Sequence, residues 1–297
     1  MVGRFISNNK FGTKYEIDES SFLKIDNEAS AYFLGFIYAD GCMGVYNGDY
    51  SIRIELQAKD VQILKDFQAF IKTSRPMSES YKKEKKYCKV SISNKIIYNN
   101  LIEKGLSPRK TFSITLPSEE IVPEHLMRHF IRGYFDGDGS ISCSKNQKNS
   151  VTFNITSNLI FLRGLQDFLI KKLGVSKTKI ISTKSQGIGM LCYSGRRNAK
   201  ILYDFLYQGS SIFLKRKFER FSAILLNIQN LKRKQYCLIS PSGQVIEVFS
   251  LSDFCLENNI SKKSVYEMLR GIKPSVKGWS CFFKINQNDY EQIKNSV

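Results

Sequence analysis

The sequence predicts an α+β protein made of two tandem αββαββα units followed by a small domain of one β-hairpin and two short helices. Three observations carry this. The stretch Ser30-Ala-Tyr-Phe-Leu-Gly-Phe-Ile-Tyr-Ala-Asp-Gly41 is echoed by Phe130-Ile-Arg-Gly-Tyr-Phe-Asp-Gly-Asp-Gly139, with the closing Asp-Gly pairs 98 residues apart. The pattern behind the first copy (helix, hairpin, helix, hairpin, helix) returns behind the second. Past the basic run Lys232-Arg-Lys234 the composition changes. The expected boundaries are an arm at 1–25, a first unit at 26–122, a second at 123–231 and a C-terminal domain at 236–297.

The repeated stretches are helices with an unusual face. No charged side chain occurs between Ala29 and Ala39, and a helix apolar all round belongs in an interior. Gly35 and Ala39 lie four apart, as do Gly133 and Gly137, so each pair shares one helix face. Small residues at that spacing let two backbones approach closely. Glycine inside a helix costs roughly 1 kcal/mol against alanine, which argues for a packing reason. The two helices are therefore expected to pack together and to deliver Asp40 and Asp138 at their C-terminal ends. A helix C-terminus is a poor place for a carboxylate unless a cation is bound there.

Between the motifs, Ser51–Gln57 alternates as a strand with one wet face, and Asp60–Ile71 is helical with Val61, Leu64 and Phe67 on one side. Tyr87–Ser93 alternates again, and Lys95–Lys104 is a helix stopped by Gly105. After the second motif come a strand at Val151–Thr156 and a helix at Leu159–Leu173 ended by Gly174. A hairpin around 179–184 and 189–194 follows, then helices at Arg197–Leu206 and Phe213–Leu231. Residues 1–25 read as a polar arm, and Asp26, Asn27 and Glu28 as capping and first-turn residues.

The chain has 297 residues and a formal net charge of +18, which points to a polyanionic partner. Residues 236–297 hold seven Lys and Arg against six Asp and Glu, so +17 lies in the first 235 residues. Seven cysteines without a Cys-x-x-Cys pair argue against a disulfide framework and a zinc site. His125 and His129 stand four apart without a third ligand, and Arg128 and Arg132 are expected to mark the wet side of the same helix. No run of eighteen apolar residues and no hydrophobic signal core occur, so no membrane partner is expected. The expected setting is a soluble, intracellular one: bacterial or phage-infected cytoplasm, or an organelle.

Phe33-Leu-Gly-Phe-Ile-Tyr-Ala-Asp-Gly41 and Ile131-Arg-Gly-Tyr-Phe-Asp-Gly-Asp-Gly139 resemble the signature of the LAGLIDADG homing endonucleases, in the two-motif, single-chain form. The first copy departs at Tyr38, where the motif often carries an acid; Asp136 holds that place in the second. The resemblance covers roughly residues 25–230. It implies a homing endonuclease fold with a pseudo-twofold axis, acting as a monomer on double-stranded DNA with a long target site. It also implies metal-dependent phosphodiester hydrolysis that promotes intron mobility. Asp40 and Asp138 would be the ligands of Mg²⁺ (or Mn²⁺ as a substitute), helped by the carbonyls of Ala39 and Gly137. Mg²⁺ commonly takes one or two carboxylates and fills its shell with water and phosphate. Lys110 and Lys217, in Pro108-Arg-Lys-Thr-Phe and Leu214-Lys-Arg-Lys-Phe, resemble the family's lysine that polarises the water network. Gln57 lies near a polar position that orients water, within one residue of register. Surface lysines that only neutralise phosphates are the plainer alternative.

The polar strand faces show Arg53, Glu55 and Gln57 in the first unit and Thr152, Asn154 and Thr156 in the second. A two-stranded ribbon fits the major groove, where Arg reads guanine and Gln or Asn reads adenine. The C-terminal segment through Lys277-Gly-Trp279 resembles the modular DNA-binding repeats that accompany homing enzymes. A helix-turn-helix there would place Lys262, Lys263, Ser264, Tyr266 and Arg270 on a recognition helix. Two rival functions share the fold: a maturase that binds intron RNA, and a DNA-binding regulator without catalysis. The presence of both aspartates favours the enzyme.

Overall fold

The structure is a computed structural model that describes residues 5–8, 14–108, 110–144, 150–229 and 236–281; the basic run 232–234 lies outside them. The chain forms two compact units, residues 1–228 and 229–297.

In the larger unit, helix α1 (Glu28–Asp40) opens on Asn27, whose side chain accepts from the Ser30 amide while the Ser30 hydroxyl accepts from the Asn27 amide. This reciprocal capping box fixes the start of a helix whose residues 30–38 are all buried. Strands β3 (Cys42–Tyr46) and β4 (Asp49–Gln57) follow, then α2 (Val61–Phe70), β5 (Ser78–Lys82), β6 (Lys85–Ser93) and α3 (Lys95–Glu103). The second half repeats this with α4 (Glu124–Asp138), β7 (Gly139–Ser144), β8 (Ser150–Asn158), α5 (Leu159–Leu173), β9 (Ile181–Ser182), β10 (Ile188–Ser194) and α6 (Arg196–Tyr207). The two sheets share one topology, order β3-β4-β6-β5 and β7-β8-β10-β9, antiparallel throughout. Helix α7 (Lys215–Gln229) closes the unit.

The halves join through α1 and α4. A methyl group at Gly35 would lie 1.9 Å from the Phe130 carbonyl oxygen, and one at Gly133 would lie 2.0 Å from that of Tyr32. These are contacts of backbone on backbone, and residues 32 and 130 stand 98 apart like the motifs themselves. Further along, a methyl at Gly137 would meet the Ala39 methyl at 2.3 Å. Behind this seam Phe33 packs on Phe67 and Phe70, and Phe135 stacks on Phe153 with centroids 4.6 Å apart.

The arm is more structured than its polarity suggested. Residues 5–8 and 14–17 pair as an antiparallel ribbon, β1 and β2, and Ile17, Phe22 and Ile25 are buried in the core of the larger unit. Three apolar residues spread over nine positions give no periodic signal, yet each fills a place left by the helices.

The smaller unit has a hairpin of β11 (Tyr236–Ile239) and β12 (Val245–Val248), then α8 (Leu251–Glu257) and α9 (Lys262–Leu269). Ser250 and Ser261 cap the two helices. A second hairpin, β13 (Ser275–Val276) and β14 (Trp279–Cys281), pairs through β14 with β11. Its turn is Lys277-Gly278, both at positive φ (50° and 81°), the two-residue geometry that follows strand twist. Leu238, Phe254, Val265 and Met268 form this unit's own core.

Candidate active site

The C-terminal ends of α1 and α4 lie side by side, and the structure places both motif aspartates there. Asp40 and Asp138 are solvent-facing, each at the junction between its helix and the first strand of its sheet. A methyl at Gly137 would stand 3.4 Å from the Asp40 carboxylate, so the first half's acid borders the second half's helix. The packed helix ends strip water from the inner side of both groups and raise both carboxyls above their usual pKa. Asp138 is raised further by the charge of Asp40, while Lys110 and Lys217 oppose the rise in each case.

The two lysines are drawn into the helix ends. Lys110 Nζ donates to the carbonyls of Ile37 (2.8 Å), Tyr38 (2.5 Å) and Ala39. Lys217 Nζ donates to those of Phe135 (2.7 Å), Gly137 (2.9 Å) and Gly139 (2.6 Å). Helix C-termini leave carbonyls without intrahelical partners and carry negative dipole character, and a cation answers both. The cation that the sequence argument required at each helix end is thus an ammonium supplied by the same half. It follows that the Ala39 and Gly137 carbonyls already have protein donors. Burial pushes both ammoniums down to about 8, and both aspartates oppose that shift.

The residues present fit a hard divalent cation. Two solvent-facing carboxylates near one another, Asp138 raised by the charge of Asp40, match the donor chemistry of Mg²⁺ with water completing its shell. No trio of His, Cys, Asp or Glu side chains gathers into a metal site among the described residues, so the aspartate pair stands alone as a donor set.

The sheets carry the other expected residues. Arg53, Glu55 and Gln57 point away from the core on β4, with Ile52, Ile54 and Leu56 buried between them. Arg53 stacks over the Tyr46 ring at 4.9 Å; Glu55 is held by Lys82 (2.6 Å) and Ser80 (3.1 Å). Gln57 ends the strand, opposite Tyr87. On β8, Thr152, Asn154 and Thr156 alternate with buried Val151, Phe153 and Ile155. In the smaller unit Lys262, Lys263, Tyr266 and Arg270 are exposed on α9, while Ser264 is engaged with the cap residue Ser261.

One expectation about α4 is overturned. Arg132 is not on a wet face: it is 0% exposed. Its guanidinium donates to the carbonyls of Ile212 (2.8 Å) and Leu206 (2.9 Å), to His129 Nδ1 (2.9 Å) and to Glu28 Oε1 (2.6 Å). Arg128 is half-buried and donates to the Gln208 carbonyl. Helical spacing puts both arginines on one face, but what covers that face is a chain segment far away in sequence.

Two further residues went unread. Arg216 Nε bonds both oxygens of Asp60 at 3.0 and 2.8 Å, tying the start of α7 to the start of α2, and its charge acts on Asp40. In the other half Asn158 caps α5 and donates to the carbonyls of Ile114 (2.9 Å) and Thr111 (3.3 Å). Asp60 and Asn158 are 98 residues apart, so the motif spacing was the signal that could have singled them out.

With this geometry in view, residues 125–206 match the LAGLIDADG-like domain family. The structure is similar to an alanine variant of I-SmaMI (TM-score 0.51, 17% identity, covering 70% of this chain and 94% of that one). It is also similar to the meganuclease I-SmaMI bound to uncleaveable DNA (0.50, 16%, covering 80% and 100%). The fold is that of the LAGLIDADG homing endonucleases. The I-LtrWI LAGLIDADG homing endonuclease bound to target DNA is a further similar structure (TM-score 0.48, 14% identity, 69% and 91% covered). No curated protein sequence matches the chain. Cys42, Cys88, Cys143, Cys192, Cys237 and Cys255 are free, and among the described residues no helix is long and apolar enough to cross a membrane.

Proposed function

We propose that this protein is a site-specific, metal-dependent DNA endonuclease that cuts both strands of a long duplex target and so promotes intron mobility. The observation that carries it is the pair of solvent-facing carboxylates, Asp40 and Asp138, at two adjoining helix ends, each with a lysine of its own half bonded to the helix-end carbonyls behind it. The similar solved structures are LAGLIDADG endonucleases, one of them bound to uncleaveable DNA.

Asp40 and Asp138 are the metal-holding groups. Mg²⁺ held there would supply activation of a water and relief of charge on the scissile phosphate. Lys110 and Lys217 keep the helix ends electrically tolerable for two acids and set their spacing. The outward faces of β4 and β8 lie along the grooves, with Arg53, Gln57 and Asn154 as base-reading candidates and Thr152 and Thr156 beside them. In the smaller unit Lys262, Lys263, Tyr266 and Arg270 of α9 extend the contact along the target.

The test is selection of bound duplexes from a randomised pool in Ca²⁺, followed by cleavage in Mg²⁺. Asp40→Asn and Asp138→Asn are each expected to lower the cleavage rate by more than the roughly 10–100-fold typical of outer-shell changes, with binding retained. Full cleavage by either variant excludes the assignment. Binding of a selected duplex with no cleavage by the unaltered protein means a regulator on the same fold.

A further inference from the structure

Buried around Arg132 is a polar network that the paired helix ends do not need. Glu28, at the start of α1, accepts from the Ser211 amide (2.8 Å), the Ser211 hydroxyl (3.0 Å), the Ile212 amide (3.1 Å) and Arg132. Asp136, 1% exposed, accepts from the Tyr32 hydroxyl (2.8 Å), the Tyr207 hydroxyl (2.9 Å) and the Leu214 amide (2.7 Å). Together with the bonds from Arg132 to Leu206 and Ile212, these contacts grip the connection between α6 and α7 from residue 206 to residue 214.

Burying an arginine and the Asp136 carboxylate, with Glu28 partly covered beside them, carries a large desolvation cost, and apolar residues of similar volume often serve packing as well or better. The other half shows this directly. At the positions 98 residues away, Glu28 corresponds to Leu126, Arg132 to Leu34 and Asp136 to Tyr38, and all three of those counterparts are buried. The network's particular product is the placement of residues 211–214. The amide of Lys217 bonds the Leu214 carbonyl at 2.9 Å, so that connection sets where α7 begins and where the Lys217 ammonium ends up. The counterpart, Lys110, sits in a single 3₁₀ turn (Lys110–Phe112) with none of its residues buried.

We infer that Glu28, Arg132 and Asp136 are positioning residues for Lys217, so that the half-site built on Asp138 is held more rigidly than the one built on Asp40. On the endonuclease reading above, on which this rests, the two strands of a bound duplex are cut by machinery with unequal support. Glu28 lies twelve residues up α1 from Asp40, about 18 Å at the helical rise, so its effect on chemistry passes through the 211–214 connection.

Single-turnover cleavage with each strand separately labelled reads this directly. Glu28→Gln is expected to slow the cutting of one strand about tenfold or more, as small misplacements of catalytic groups do, and to leave the other strand and duplex affinity nearly unchanged. Hydrogen exchange and the side-chain ε-methylene NMR signal of Lys217 provide a readout that needs no cleavage. In Glu28→Gln the Ser211 and Ile212 amides should lose protection and the Lys217 signal should move, with the Lys110 signal fixed. Should that variant fail to fold, Ser211→Ala removes one exposed donor and should give the same one-strand pattern at smaller size. Equal slowing of both strands, or no slowing in either, overturns the inference. An unaltered protein that cuts no DNA overturns the endonuclease reading instead. The positioning claim is then decided by exchange and NMR: a moved Lys217 signal supports it, and an unmoved one refutes it.

Discussion

The two halves of the larger unit have the same topology and the same glycine seam, and they stabilise their helix ends by different means. In the first half, Tyr38 donates its hydroxyl to the Lys104 carbonyl at 2.5 Å, and residues 33–37 of that helix are apolar and buried. In the second half, the equivalent place is held by a buried carboxylate with three donors, backed by an arginine with no exposure. Backbone geometry is thus kept where the halves touch, because carbonyl oxygens near 2 Å from a would-be methyl admit no variation. Away from that seam, an apolar packing and a satisfied polar network are both physically adequate.

The strongest challenge to this comparison is at its symmetric part. Gly35→Leu and Gly133→Leu should each abolish folding, since the clash is with backbone and can exceed the roughly 5–15 kcal/mol of a typical domain's stability. Circular dichroism and thermal melting check this, and a difference between the two variants would mean that the seam is less symmetric than its distances.

Next in size is Arg132→Leu, which installs the residue found at the matching Leu34. It should cost about 3–5 kcal/mol, because Glu28 and the Leu206 and Ile212 carbonyls lose a buried partner. Leu34→Met, a volume-conserving change in the apolar counterpart, should cost under about 1.5 kcal/mol. Denaturant unfolding of the pair gives the contrast directly, and equal costs would remove it.

A smaller effect belongs to His129, whose counterpart is Ala31. Burial, reinforced by Arg132, pushes its pKa down to about 4; Glu28 opposes the shift, and Arg128 and His125 add to it. The unfolded chain binds a proton near the ordinary value of 6.5 and the folded chain only near 4. Between those values the unfolded state holds more protons, so stability falls as pH drops from 6.5 toward 4. His129→Ala should flatten that part of the stability curve, measured as denaturation midpoint against pH.

The smallest expected change is Tyr38→Phe, which removes one hydrogen bond from the first half. A loss of about 0.5–1.5 kcal/mol is expected, visible as a modest drop in melting temperature with the fold intact.

Much of this was legible in the chain itself. The repeated motif located both helices, the Gly-x-x-x-small spacing located their contact, and alternation located β4, β6, β8 and β10. Asp40 and Asp138 stood out because a carboxylate at a helix C-terminus demands a cation. The short strands β5, β7, β13 and β14 and the ordered arm were not legible as separate elements, since a few residues of pairing leave no periodic trace.

Local sequence therefore determined the elements, the small-residue seam and the charged ends, all of which follow from periods of two and 3.6 and from the dipole of a helix. Tertiary structure alone decided which cation meets each helix end, and that Arg132 is buried. It also decided that Glu28 holds a segment 183 residues further on. Those outcomes depend on which distant segment covers a given face. A side chain's spacing states its direction, and only the folded chain supplies what it meets there.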